Sequence, residues 1–543
     1  MKPLWKWLIG VGAAIIVLVI AALIALPALV DTPRVQALIA SSASSALGRP
    51  VTFASVSVKV FPLPAVQLHN LQVAEDPQFG TAPFLKLDTG EVRLRLRPLL
   101  TGHVEFGQVV LTKPVITVIQ DAGGHWNVAT LGASPDGKAT ASRSRTGGSS
   151  GGSGGAGAVL GSSVKIDNGT VTYMARTAAG AGSNYRLEGV NITLTPSATT
   201  LGIKADAVVK PGDLKLSLKD GSVGLSGNKS LMESPLRGQL SVDAKDLKDL
   251  VAAAAGPSPA LAGGIKGKLA LAGAVGSPRA AGDVELSNLS VTQVNPQCPE
   301  PKRRTLTLPL VKLNAAWENE TLTGRPLTTG LANGTVTTNL VATLERGVHV
   351  ELRDLGIKAL PLEKILVDYL CQGYAVTGPL DLTGALSMSP RDILNTLGGQ
   401  GQLKIGPGKV VGARALELLG GVTKVGGALS SALSGDVPNL NFSSPLDFES
   451  ITGTYRITNG VVTTRDLLYT SRAMKVGVAG DYALGSGKMN LDMVVNYGKG
   501  DVQAKVTGTA AQPSIRVQPA SVLKNVDPNK VESGLKDLLK QFK

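Results

Sequence analysis

Six consecutive residues, Val92-Arg93-Leu94-Arg95-Leu96-Arg97, alternate strictly between aliphatic and arginine. A helix would spread the three arginines around its circumference, whereas a strand places all of them on one face. The same period of two recurs along the chain. Val56, Val58 and Val60 alternate with polar residues, as do Val66 and Leu68, and short strands are expected at 104–106, 109–111 and 115–119. After a break they resume at 164–166, 171–173, 187–194, 203–209, 214–218 and 236–242. They continue at 265–271, 283–291, 305–313, 334–344, 348–352, 402–411 and through 451–517. The expected unit is a strand of roughly six to eight residues closed by Gly or by an Asn-Gly turn such as Asn459-Gly460. The 65 glycines serve that turn-rich design, and they follow no period of three, which excludes collagen. No fixed repeat supports a propeller or a leucine-rich solenoid. The expected fold is mostly β: a long, twisted, curled antiparallel sheet, groove-like, with a few short helices. About thirty strands at ~4.8 Å would extend on the order of 140 Å at most.

Helices are expected at 33–47, 247–255 and 361–371, from Ser389 as N-cap, at 413–434, and at 518–543. One further helix precedes them all. Lys2 and Lys6 lead into an uncharged run from Leu8 to Val30 with Trp5 and Trp7 at its start. That run is long enough to cross a ~30 Å hydrocarbon core. The flanking charges place residues 1–7 in the cytoplasm and the remainder outside. A cleaved signal peptide has an apolar region of about 7–15 residues and a small-x-small site. This run is longer and ends in Leu26-Pro27-Ala28-Leu29-Val30-Asp31, so an uncleaved transmembrane anchor at 8–30 is favoured. Residues 31–133 then form an N-terminal β module, and 134–163 a Gly/Ser-rich flexible linker. Residues 164–517 form a long β-rich region with short helices, and 518–543 an amphipathic helix. In an oxidising compartment Cys298 and Cys371 can pair as one disulfide or remain two buried thiols.

Chemical motifs fail on context. Gly148-Ser149-Ser150-Gly151-Gly152 matches a nucleophile elbow, but it sits in the Gly/Ser run rather than on a strand-to-helix turn. Gly152-Ser153-Gly154-Gly155-Ala156-Gly157 matches a dinucleotide fingerprint without its βαβ setting. His69, His103, His125 and His349 have no ligand partners at metal spacing and read as turn or surface residues. No catalytic, cofactor-binding or metal residue is assigned, and the protein is expected not to be an enzyme. The net charge of +14 is spread along the chain, with Lys302-Arg303-Arg304 the nearest approach to a block. Aromatics are only 4%, too few for base stacking, so nucleic acid is not an expected partner.

What remains is a face. The inward sides of the N-terminal strands, Val92, Leu94, Leu96, Val104 and Phe106, either line an apolar trough or fill a closed core under the helix at 33–47. A large apolar trough in water requires a ligand or a partner.

The first segment resembles the AsmA family of envelope proteins. The resemblance rests on the anchor and Leu47-Gly48-Arg49-Pro50-Val51. It continues through Phe61-Pro62-Leu63-Pro64 to Asn70-Leu71, then Asp76-Pro77-Gln78-Phe79-Gly80 with Phe84-Leu85. Leu96-Arg97-Pro98-Leu99-Leu100-Thr101-Gly102, Lys113-Pro114 and Gly123-Gly124-His125-Trp126-Asn127 come next in the family's order. Ile457-Thr458-Asn459-Gly460-Val461, Gly508-Thr509 and Pro513 are similar to its closing region. The resemblance implies an inner-membrane anchored periplasmic protein with a chorein-like hydrophobic groove. It implies phospholipid traffic between inner and outer membranes in support of outer-membrane integrity, with no catalytic residues to carry over. The expected partners are membrane phospholipids, the inner membrane through the N-terminal helix, and further outer-membrane or periplasmic proteins. The alternative is a scaffold for assembling outer-membrane proteins by strand addition.

Overall fold

The computed structural model describes residues 33–59, 65–94, 106–131, 163–177, 180–225, 231–256, 259–296, 298–344, 348–371, 375–390, 392–411, 446–472, 474–496 and 501–517. The expected anchor at 8–30, the helices at 413–434 and 518–543, and all of the 134–163 segment except Ser163 lie outside these residues. No helix among the described residues is long and apolar enough to cross a membrane.

Two compact units divide the chain: residues 1–255 with 266–279, and residues 256–265 with 280–543. Unit 1 begins with α1 (Pro33–Leu47), whose opening proline suits a first helical turn and which stops at Gly48, φ +67°. Its strands are β1 (Val51–Thr52), β2 (Ser55–Lys59), β3 (Ala65–Val73), β4 (Leu85–Leu94), β5 (Phe106–Thr112) and β6 (Val115–Gln120). They continue with β7 (Ser163–Thr177), β8 (Gly180–Pro196), β9 (Thr200–Lys210), β10 (Leu214–Gly224) and β11 (Leu236–Ala244), and α2 (Lys248–Ala255) comes after them. Strands β12 (Ala260–Ala274) and β13 (Ser277–Val294) are shared between the units.

Unit 2 contains β14 (Arg303–Glu318), β15 (Thr321–Leu331), β16 (Gly334–Thr343), β17 (His349–Pro361) and β18 (Pro379–Met388). A short helix α3 (Ile393–Thr396) leads to β19 (Gly398–Ile405). After a separate two-stranded sheet, β20 (Gly408–Val410) with β21 (Leu446–Phe448), the meander resumes from β19 into β22 (Ser450–Thr458). It runs on through β23 (Val461–Thr470), β24 (Lys475–Ala483), β25 (Lys488–Asn496), β26 (Asp501–Thr509) and β27 (Gln512–Val517). The Asn459-Gly460 turn joins β22 to β23 with both residues at positive φ, 48° and 73°, as an Asn-Gly hairpin requires.

Three expectations are corrected. First, the sheet is mixed rather than wholly antiparallel: β5 and β6 both run parallel to β7. They form one line of chain, interrupted at Lys113 (φ +52°) and Pro114, and they keep a single register against β7. Parallel pairing needs a long return connection, and residues 121–162 supply it. Strands on either side of the Gly/Ser-rich segment therefore pair directly.

Second, strands run well beyond eight residues, up to the 18 of β13. Bulges conceal this in the sequence. In β7 the apolar set is Val164 and Ile166 before Asn168 (φ +52°) and Val171 and Tyr173 after it. In β10 it passes from Leu216 and Leu218 to Val223 across Asp220 (φ +49°). In β17 it passes from Leu352 to Leu355 and Ile357 across Asp354 (φ +51°). Each bulge changes the parity of the apolar positions, so one bulged strand reads as two short ones.

Third, residues 361–371 are not a regular helix. β17 extends through Pro361, which pairs with Pro379, and the chain then makes one π-type turn over Glu363–Val367. Its hydrogen bonds span five residues, from Asp368 N–H to Glu363 C=O at 2.9 Å and from Leu370 N–H to Ile365 C=O at 2.8 Å. With Pro361 paired to Pro379 and Leu362 N–H bonded to Gly378 C=O at 3.1 Å, the start of this stretch is held by the sheet rather than by helical hydrogen bonds. Likewise α3 starts after Asp392 without a side-chain cap, and the Ser389 carbonyl accepts the Asp392 N–H at 3.0 Å instead.

Candidate functional site

Cross-strand register brings the alternating residues of unit 1 into rows. One row passes from Val56 to Leu68, Gly90 and Leu111, then across the parallel pairing to Ile166. It goes on through Ile192, Ala205 and Leu218 to Leu240. These are direct neighbours on nine strands, a row of about 38 Å at ~4.8 Å per step. Two residues along each strand lies a second row, Val58, Val66, Val92, Val109, Val164, Leu194 and Ile203. Gly90 fixes which side this is: a Cβ there would meet the side chains of Leu87, Leu111 and Leu71 at 3.3, 3.8 and 3.8 Å. Both rows therefore share the face that carries the unit 1 core.

That core is a compact cluster at one end of the face. Val51, Leu71, Val73 and Leu87 are buried, with Ala43 of α1, Phe53, Leu68, Phe84 and Leu111 packed against them. The second row is different, since every member is half-buried. Val92, the expected groove residue, belongs to this half-buried row and not to the cluster under the helix. Leu94 and Phe106 pair directly across β4 and β5, the next step along the same strands. Their side chains, and Leu96 and Val104 entirely, lie outside the described residues. The residues that sequence reading missed are those of β7–β11. Their signal is present in the alternation, provided the phase is read separately on each side of Asn168 and Asp220.

The opposite face is mostly polar, with the buried Val110 set in register with Ser57, Gln67, Glu91, Lys165, Thr193 and Lys204. Glu91 accepts hydrogen bonds from Arg93 Nε at 2.7 Å and Gln67 Nε2 at 3.3 Å, and Arg93 Nη1 donates to Gln108 Oε1 at 2.8 Å. The Arg93 hydrogen bond is the largest influence holding the Glu91 carboxyl below its ordinary range. His69 is not a surface residue: it is half-buried in β3, with Nε2 2.9 Å from Ser57 Oγ. His125 stands in an exposed turn, its Nδ1 3.1 Å from Asp121 Oδ2.

A buried polar cluster holds the end of the face that α1 covers. Arg49 Nη1 donates to Glu75 Oε1 at 2.8 Å, and Arg49 Nη2 donates to Thr130 Oγ1 at 2.7 Å and to the Asn127 carbonyl. Asn127, fully buried, donates to Glu75 Oε2 at 2.7 Å and to the Thr117 carbonyl at 2.9 Å, and accepts from Ile119 N–H at 2.9 Å. The Arg49 guanidinium lies 5.0 Å from the Phe84 ring centroid. Short motifs scattered from Arg49 to Asn127 in the sequence thus meet at one point. Their role is architectural: a buried charge is tolerable only when paired and hydrogen-bonded.

Unit 2 carries a comparable face. Leu340, Leu352 and Leu386 are cross-strand neighbours, and the row continues through Gly399 to Ile457, Val462, Tyr482 and Met489. Among the described residues no group of three His, Cys, Asp or Glu is placed to hold a metal. Such a surface can bind by apolar contact along a line, without a fixed polar anchor point.

The AsmA family model matches residues 1–255. No curated protein and no solved structure matches the chain.

Proposed function

Residues 1–255 belong to the AsmA family, whose members are envelope-associated, and from that premise we propose that this protein binds phospholipid acyl chains along the apolar sheet face. It passes them between inner and outer membranes, without catalysing a reaction. Residues 8–30 anchor it in the inner membrane and the bulk of the chain lies in the periplasm.

The observation that carries this reading is the unbroken row Val58-Val66-Val92-Val109-Val164-Leu194-Ile203, half-buried at every position. An ordinary core would bury such a row under a second layer. Each methylene moved from water onto the face gains about 0.8 kcal/mol. That gain has no direction, so a chain can shift from one strand to the next at little cost while its headgroup stays in water.

The test uses the full-length protein with a photoreactive residue replacing Val92, Val109 or Leu194. Lys165 and Lys204, which alternate with the row, serve as opposite-face controls. Irradiation in cells followed by mass spectrometry should yield phospholipid adducts at the three row positions and none at the lysines. Val109→Asp with Leu194→Asp should abolish co-purifying phospholipid while the β-sheet circular dichroism is retained. A lipid-free protein that crosslinks instead to nascent outer-membrane strands would favour the scaffold reading and sink this one.

A further inference from the structure

In unit 2 a second row is closed rather than open. It passes from Leu360 and Leu380 through Ile405, Ile451, Tyr469 and Val476 to Val495 and Val502; Leu380 and Ile451 are partly buried and the other six are buried to 9% exposure or less. Part of what closes it is the connection between β17 and β18, described at residues 362–371 and 375–378. Leu362 belongs to the buried cluster, and Leu366 and Val376 pack against it.

The described residues of this connection have little regular structure of their own. Its ends are tied by Leu362 N–H to Gly378 C=O at 3.1 Å and by Thr377 N–H to Lys409 C=O at 2.8 Å. Its middle is the single π-type turn, whose outer side exposes Val367 and the Lys364–Asp368 pair. Beyond that turn, Cys371 is joined to Cys298 by a disulfide with Cα atoms 5.4 Å apart. Cys298 lies in the loop between β13 and β14, and Asn295 of that loop donates from Nδ2 to the Leu370 carbonyl at 3.0 Å. The covering segment is therefore fastened sideways to a different hairpin of the same unit.

We propose that the Cys298–Cys371 disulfide is a redox-sensitive clamp that keeps residues 362–371 and 375–378 closed over the apolar face of unit 2. A segment that buries few aliphatic side chains on one π-type turn has weak intrinsic reason to stay seated, and a covalent tie to a neighbouring loop restricts its unseated states. The releasing partner is a dithiol. One of its thiolates attacks a cystine sulfur, giving a mixed disulfide and one cysteine thiolate, and its second thiol displaces the other cysteine. The products are two protein thiols, after protonation, and the oxidised dithiol. The clamp acts whether or not the face carries lipid.

Hydrogen exchange read by mass spectrometry tests this on the full-length protein in detergent, with and without dithiothreitol, with reduction scored by alkylation. The expected result is loss of protection in peptides from 361–378 on reduction, while β23–β26 keep theirs. Cys298→Ser with Cys371→Ser should show that loss without reductant and no further response to it. Leu366→Ala, with the disulfide intact, should remain protected until reduced. Unchanged exchange at 361–378 after complete reduction overturns the clamp. So does a loss of protection spread equally over β23–β26, which would make the bond a global staple. So does a disulfide that resists reduction in the folded chain.

Discussion

Arg49 and Glu75 form a buried ion pair, Nη1 to Oε1 at 2.8 Å, with side-chain exposures of only 4% and 1%. Asn127 completes it by donating to the second Glu75 oxygen at 2.7 Å. Arg49 lies just after α1, Glu75 after β3 and Asn127 after β6, so the cluster locks the helix-covered end of the unit 1 face. Removing one charge leaves the other buried and unpaired, which costs about 3–5 kcal/mol. Glu75→Gln should therefore destabilise unit 1 by that amount, read as lost amide protection in β3 and β6 under mild denaturant. The double replacement Arg49→Met with Glu75→Leu should recover much of the loss, because no lone charge remains. Equal losses in single and double variants would show that the pairing is not the source.

Asn168 sits at φ +52°, in the left-handed region where the bulge of β7 turns the apolar set from even to odd positions. Asparagine tolerates that region and β-branched residues do not. Asn168→Val should cost about 1–2 kcal/mol, measured as a lowered unfolding midpoint, whereas Asn168→Gly should change it little. If valine were accepted as readily as glycine, the bulge would not be an enforced feature of the strand.

Glu91 lies on the polar face with its carboxyl held below the ordinary value of 4.5, first through the Arg93 hydrogen bond and further through Gln67 and Lys59. A carboxyl with a depressed folded-state pKa binds fewer protons when folded, so its contribution is present above the unfolded value. That contribution is lost as pH falls through the folded value. Stability should therefore fall on acidification below about pH 4.5, and Glu91→Gln should flatten that part of the acid limb while leaving the slope above pH 6 unchanged. Urea titrations of both proteins at pH 3, 5 and 7 provide the comparison. An identical acid limb in the variant would assign the dependence to other carboxylates.

Val92 shows how far the residues alone could be read. Its strand and its apolar side follow from the Val-Arg-Leu-Arg alternation, because the pleat has a period of two. Its continuation into Val109, Val164 and Leu194 does not, because register across strands is a long-range matter. The parallel step from Val109 to Val164 depends on a return connection whose composition carries no pairing information. The bulges at Asn168, Asp220 and Asp354 hid strand length in the same way: a parity change in sequence looks like a strand end. Arg49 and Asn127 stood in recognisable short motifs and Glu75 just before one, yet nothing local indicates that three polar side chains will share one buried site.

Local sequence was enough for the strand-dominated class, the position of α1, the Asn459-Gly460 hairpin and the apolar side of each unbulged stretch of strand. These follow from local propensity, turn chemistry and period, which act over a few residues. The assembled fold was needed to show that β5 and β6 join β7 in parallel, that seven strands align their apolar residues into one half-buried row, and that Cys298 meets Cys371. Those depend on register and on contacts between distant segments, where the free energy belongs to the assembled sheet and to no single stretch of chain.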